Sequence, residues 1–122
     1  MTERVTGVGG VFFRARDARA LAAWYSEHLR VPVGEEGWYA IFPESHDTHW
    51  AAFSEDTDYW PAGKQLMVNF TVRDLDAMLA QLRAAGVEVD EKVEEHSFGR
   101  FGWGVDPEGN RFELWEPGTR DG

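Results

Sequence analysis

The sequence predicts an α+β fold: two tandem βαβββ modules forming a cupped eight-stranded mixed sheet, with the helices on its outer side. Three observations lead there. The chain repeats itself, with Arg16-Asp17 recurring as Arg73-Asp74, Ala20 as Ala77, and Val31-Pro32-Val33 as Val87-Glu88-Val89, at an offset of 57 residues that falls to 56 after the helix. Self-similarity at a fixed offset is the mark of a repeated supersecondary unit. Each copy reads as a strand, a helix and about three further strands. Neither copy could bury both faces of a four-stranded sheet alone, so two placed side by side would leave a polar and aromatic face inside a cup.

Length and composition are consistent with one such domain over residues 1–122. Module one spans about 5–54, a linker about 55–64, and module two about 65–117. A chain of this size buries roughly 65% of its unfolded surface. Its 43% hydrophobic and 14% aromatic content belongs to a packed globule rather than a disordered segment. The net charge of −10 argues against nucleic acid and anionic membranes, which select basic patches. The chain has no cysteine, which excludes disulfides, thiolate nucleophiles and Cys-type zinc sites. No apolar run approaches the ~18 residues of a membrane span, so the expected location is the cytosol.

In chain order, Val8–Arg14 alternates as a first strand, Val11 and Phe13 opposing Gly10, Phe12 and Arg14. Asp17 is the predicted N-cap of a helix to about Arg30 with Leu21, Trp24, Tyr25 and Leu29 as its apolar stripe. Pro32 and Gly34 stop it. Strands are expected around Val31–Glu36, Trp38–Phe42 and His49–Phe53. Ser54–Lys64 reads as the linker. Leu66–Val72 is a clear strand, with Met67, Asn69 and Thr71 opposite its apolar face. Asp74 caps the second helix, whose stripe is Leu75, Met78, Leu79 and Leu82 and whose stop is Gly86. Val87–Val93, Arg100–Val105 and Arg111–Glu116 complete the expected set, and the chain from Thr119 reads as a loose tail.

The most informative stretch is Asp106-Pro107-Glu108-Gly109-Asn110-Arg111-Phe112-Glu113-Leu114-Trp115-Glu116-Pro117. Asp-Pro opens a turn and Gly-Asn closes it. The strand that follows sets Phe112 and Leu114 against Arg111, Glu113 and Trp115, and Pro117 ends it because proline cannot donate a ladder hydrogen bond. A carboxylate and an indole therefore share the face opposite the apolar one.

This ending, the Arg-Asp helix openings, the paired βαβββ pattern and Phe98-Gly99-Arg100-Phe101 before Asp106-Pro107 resemble the vicinal oxygen chelate superfamily over about residues 5–117. That group includes glyoxalase I, extradiol dioxygenases, fosfomycin-resistance proteins and bleomycin-binding proteins. The resemblance implies the cupped sheet, a homodimer, and in metal-dependent members a ligand from the first and last strand of each module. Those positions fall here on Gly10, Met67, Glu113 and a residue of His49–Phe53, either Trp50 or Ala52, or His49 under a one-residue shift of register. Gly10 and Met67 offer no ligand for a hard divalent cation.

The expected function is therefore binding of a small, partly aromatic organic molecule in the cup without a metal or other cofactor, with Glu113 as candidate general base. The expected cup-lining residues are Gly10, Phe12, Trp50, Met67, Asn69, Arg100 and Trp115. If Glu113 were buried among Trp103 and Trp115, loss of water would favour its protonated form and suit proton abstraction. The plainer alternative is that Glu113 pairs with Arg111, Arg14 or Arg100. The rival function is a divalent-metal-dependent lyase, isomerase or dioxygenase of the glyoxalase type, needing Glu113 and His49 with further ligands. A third is a purely structural module whose cup is filled by its own tryptophans.

His28 reads as a surface residue. His46 and His49 read as hairpin histidines or a weak metal pair, and His96 as exposed rim. Six tryptophans suit a cup for planar ligands or a large core. Trp24 is expected in the core, Trp115 and Trp50 facing the cavity, and Trp103 is open.

Overall fold

The computed structural model describes residues 2–29, 31–43 and 47–118. His46, Arg30 and the tail from Thr119 lie outside the described residues. Seven strands and two helices follow in the order β1 (Val5–Ala15), α1 (Ala18–Leu29), β2 (Tyr39–Pro43), β3 (Asp47–Ser54), β4 (Leu66–Val72), α2 (Leu75–Ala84), β5 (Glu94–His96), β6 (Gly99–Val105) and β7 (Arg111–Pro117). The strands form one mixed sheet in the order β2-β3-β1-β4-β7-β6-β5.

The expected eighth strand is missing among the described residues. Val31–Glu36 is reduced to a single bridge, Val33 to Ala40, and Val87–Val93 to a bridge from Val89 to Gly104. Pro32 withholds one ladder donor, and after the Gly34 N–H bonds the Tyr39 carbonyl the chain turns back, with the Gly37 N–H donating to the Gly34 carbonyl. The strand after α2 forms later instead, at Glu94–His96, as a short hairpin with β6.

The chain divides into two compact units, one from Gly9 to Met67 and one made of residues up to Val8 together with Val68 onward. In the first, β1 runs parallel to β3, placing Gly10 beside His49, Val11 beside Trp50 and Phe12 beside Ala51, while β2 pairs antiparallel with β3. Asp17 caps α1 by accepting the Ala20 N–H at 3.0 Å.

Ala22 is wholly buried, whereas Trp24 is 50% exposed, which corrects the expectation that Trp24 lies in the core. Two residues turn a helix by about 200°, so Trp24 lies almost opposite the buried centre. The indole rests instead on Tyr25 and His28, ring centroids 5.2 and 4.9 Å away.

Residues 55–64 do not run free. The Arg14 guanidinium donates to the carbonyls of Glu55 (3.1 Å), Thr57 (3.1 Å), Trp60 (2.8 Å) and Pro61 (3.1 Å), and also to that of Lys64. It lies 4.8 Å over the ring of Trp60, which is itself buried.

In the second unit β4 runs parallel to β7 and β7 antiparallel to β6. Asp74 caps α2 through the Ala77 N–H at 3.0 Å, and Gly86, at φ +81°, ends it. The stripe Leu75, Met78 and Leu79 packs with Val72 and Leu114 as the core, flanked by Phe70, Leu82 and Phe112. Gly102 permits this approach, since a Cβ there would lie 3.3 Å from both Leu75 and Leu79. The lead-in is pinned as well: the Glu3 backbone exchanges hydrogen bonds with the Gln81 side-chain amide, and its carboxylate pairs with Arg73.

Candidate functional site

The parallel β4–β7 register sets Asn69 beside Glu113, and the antiparallel β6–β7 register sets Trp103 on its other side. Paired residues of a ladder point to the same face, so these three side chains form one row across three strands. Glu113 is 2% exposed. Its Oε1 accepts from Asn69 Nδ2 at 2.6 Å, and its Oε2 from Trp103 Nε1 at 3.0 Å. Asn69 is as deeply buried, and its Oδ1 has no hydrogen-bond partner among the described residues.

The next row on the same face is Thr71, Trp115 and Phe101. Trp115 and Phe101 stack with planes 3° apart and centroids 6.0 Å apart. The Trp115 indole donates to the Phe98 carbonyl at 2.9 Å, which holds the β5–β6 turn. Phe98 itself is 56% exposed and stacks on His96 at 5.2 Å, while the Thr71 hydroxyl shares a 2.8 Å hydrogen bond with Thr6. On the side of Trp103 away from this row, Arg111 lies 5.3 Å over the indole and pairs with Asp90 at 3.2 Å.

Several expected lining residues are elsewhere. Arg100 alternates onto the helix side of β6, where it pairs with Asp76 on α2 at 3.1 Å, Glu95 at 3.4 Å and Glu116 at 3.9 Å. Its hydrogen bond and charge hold the Asp76 carboxyl below the usual carboxylate range. Trp50 shares the face of Val11 and Phe13 and packs beneath α1, 5.1 Å from Tyr25 and 5.0 Å from Phe13. It is His49 that shares the face of Gly10.

Gly10 is explained by backbone crowding, since a Cβ there would sit 2.7 Å from the His49 carbonyl oxygen. Phe12 leans on Phe53 at 5.3 Å, and Phe53 in turn touches Trp38, Tyr59 and Trp60 at 5.6, 5.7 and 5.1 Å, so that face of the first unit is covered by its own rings. Met67 is fully buried. The arginines named as possible partners of Glu113 are engaged with other groups: Arg14 with the 55–64 loop, Arg100 with Asp76 on the helix side and Arg111 with Asp90.

Sequence reasoning missed that Asn69 and Trp103 grip the carboxylate. The alternation of Phe101-Gly102-Trp103-Gly104 gives two faces without saying which faces Glu113, and the missing information is the register. His96 is exposed and bonded to Glu94 at 3.1 Å.

The metal that the fold family implies does not fit these residues. Gly10 has no donor, Met67 offers a soft thioether, and both Glu113 oxygens already accept hydrogen bonds from neutral donors. Among the described residues no three His, Asp or Glu side chains converge as a metal site requires.

Residues 10–115 match the family model of the glyoxalase-like domain. The chain therefore belongs to the glyoxalase-like domain family, within the vicinal oxygen chelate superfamily. Among solved structures it resembles methylmalonyl-CoA epimerase from Mycobacterium tuberculosis, at 22% identity and TM-score 0.67, covering 98% of this chain and 93% of that one. It also resembles a variant of the Streptomyces coelicolor methylmalonyl-CoA epimerase in complex with 2-nitronate-propionyl-CoA, at 18% identity and TM-score 0.70, covering 95% and 100%. The Mn(II)-bound glyoxalase from Novosphingobium aromaticivorans is 23% identical with TM-score 0.60, covering 98% of this chain but 42% of its own. At these identities the likeness shows the fold. The comparison with curated proteins gives no significant match.

Proposed function

We propose that this protein binds a small, partly aromatic organic molecule against the Glu113 face of β4, β7 and β6, without a metal, and that Glu113 serves there as proton acceptor or polar anchor. The observation that carries the reading is a buried carboxylate gripped on both oxygens, by Asn69 at 2.6 Å and Trp103 at 3.0 Å, beside the stacked rings of Trp115 and Phe101. A carboxylate fixed by two neutral donors is oriented before a ligand arrives, which is what a proton acceptor or anchor requires. Phe101, half-buried where Trp115 beside it is buried, is the ring of this row on which a flat partner would stack.

The neighbouring folds include a methylmalonyl-CoA epimerase and a Mn(II)-bound glyoxalase. A glyoxalase-type, metal-dependent reaction is the second reading, and Glu113 on the last strand is what favours it. One experiment separates the two. Elemental analysis of untagged protein, followed by Ni²⁺, Zn²⁺ and Mn²⁺ titration, gives no stoichiometric metal under the first reading. Under the second it gives one equivalent that Glu113→Gln removes.

The proposal includes a homodimer working in the cytosol, on the strength of the family resemblance, and sedimentation velocity tests the dimer directly.

A further inference from the structure

We infer that the ligand of the Glu113 face is one that donates a hydrogen bond to the side-chain carbonyl of Asn69, an aromatic amide or amidinium in preference to an aromatic carboxylate. This rests on the reading above, which supplies the face, and adds the chemical class.

The Asn69 amide is 2% exposed and can be oriented only one way, since a carboxylate takes the NH₂ end. Its carbonyl oxygen then has no partner among the described residues. Buried polar atoms are almost always hydrogen-bonded, so an acceptor left over in the middle of a sheet face marks a place for a donor from outside the chain. An anion brought to that oxygen would meet a second acceptor and lie close to the Glu113 carboxylate, 2.6 Å from the amide nitrogen. An amide N–H would satisfy the carbonyl, and an amidinium would add charge attraction to Glu113. Trp115 and Phe101, one row along the same face, would flank its ring.

One group argues the other way. Arg111 Nε is a donor, also buried and without a partner among the described residues. The Arg111 charge is, however, already answered by Asp90 at 3.2 Å, whereas nothing described answers Asn69 Oδ1. The two orphan atoms make opposite predictions, and a carboxylate probe decides between them.

The test titrates the ¹⁵N-labelled wild-type chain with benzamide, benzamidinium, benzoate and toluene, following the Asn69 side-chain amide and the Trp103 indole N–H. The expected result is that benzamide and benzamidinium bind about tenfold tighter than benzoate and shift both resonances. Asn69→Leu is expected to abolish that preference. Benzoate binding as tightly as the amides would assign the ligand to Arg111 and overturn the inference. Toluene matching the amides would overturn it while leaving the face a binding site. Binding of none of the four would overturn the inference together with the reading it rests on. The wild-type comparison decides the matter even where the variant fails to fold.

Discussion

Trp103 and Glu113 face each other across the β6–β7 ladder, and the indole N–H of one donates to the carboxylate of the other at 3.0 Å. The tryptophan thus contributes a donor to the site as well as bulk to the interior. Trp103→Phe keeps an aromatic ring and removes the donor, leaving one oxygen of a buried carboxylate short of a hydrogen bond. The expected cost is about 1–3 kcal/mol in urea unfolding. A second substitution, Glu113→Gln in the Trp103→Phe background, should recover part of that loss, because the buried charge is gone. A loss below about 0.5 kcal/mol for the single variant would show that the bond carries little.

Arg14 makes a different kind of commitment. Its guanidinium reaches five carbonyls of the 55–64 loop, a geometry that the three donors of a lysine cannot reproduce. Arg14→Lys should destabilise the chain by about 2–3 kcal/mol. Hydrogen exchange should show the reason, with faster exchange across residues 55–64 and unchanged protection in β4 and β7. Equal acceleration in all of these segments would remove the local role.

Trp24 gives a contrast within one residue type. Because half of it is exposed, Trp24→Ala should cost less than about 1 kcal/mol, whereas Trp60→Ala should cost about 3–5 kcal/mol. Thermal melts of the two variants side by side would check the ordering.

Acid should loosen the surface of the second unit. Arg100 depresses the Asp76 carboxyl, and hydrogen bonds from Lys92 and then His96 depress that of Glu94. A folded pKa below the unfolded one gives stability that is fully present above the ordinary carboxylate value, about 4, and is lost as the pH falls through the lower folded value. The urea midpoint should therefore be insensitive to these groups at neutral pH and decline below about pH 4. Asp76→Asn should show a shallower decline than wild type, and identical slopes would count against the Arg100 pairing.

Much of the fold is legible in the sequence because local chemistry and tertiary structure agree. Asp17 and Asp74 cap the helices that their positions predict, and the alternation of Leu66–Val72 and of Arg111 onward marks β4 and β7. Legibility ends where direction depends on a neighbour. Trp50 has no assignable face until its register against Val11 is known, and Arg100 has none until Asp76 on α2 stands opposite it. Hydrophobicity alone sends Trp24 to the core, because Ala22, small and easily overlooked, is what centres the buried side of α1. At the site, Glu113 is legible from its strand alone. Its partners are not, because Asn69 and Trp103 come to it only through pairing on both sides.

The crowding at Gly10 reaches beyond stability. A Cβ at that position would meet main chain, the His49 carbonyl at 2.7 Å, and main chain cannot swing aside as a side chain can. Placing a histidine there is thus not a matter of one codon. The neighbouring strand would have to shift first, in a step that brings no ligand of its own. A protein engineer wanting metal chemistry from this scaffold should begin by redesigning β3, and selection starting from single substitutions should find other solutions before that one.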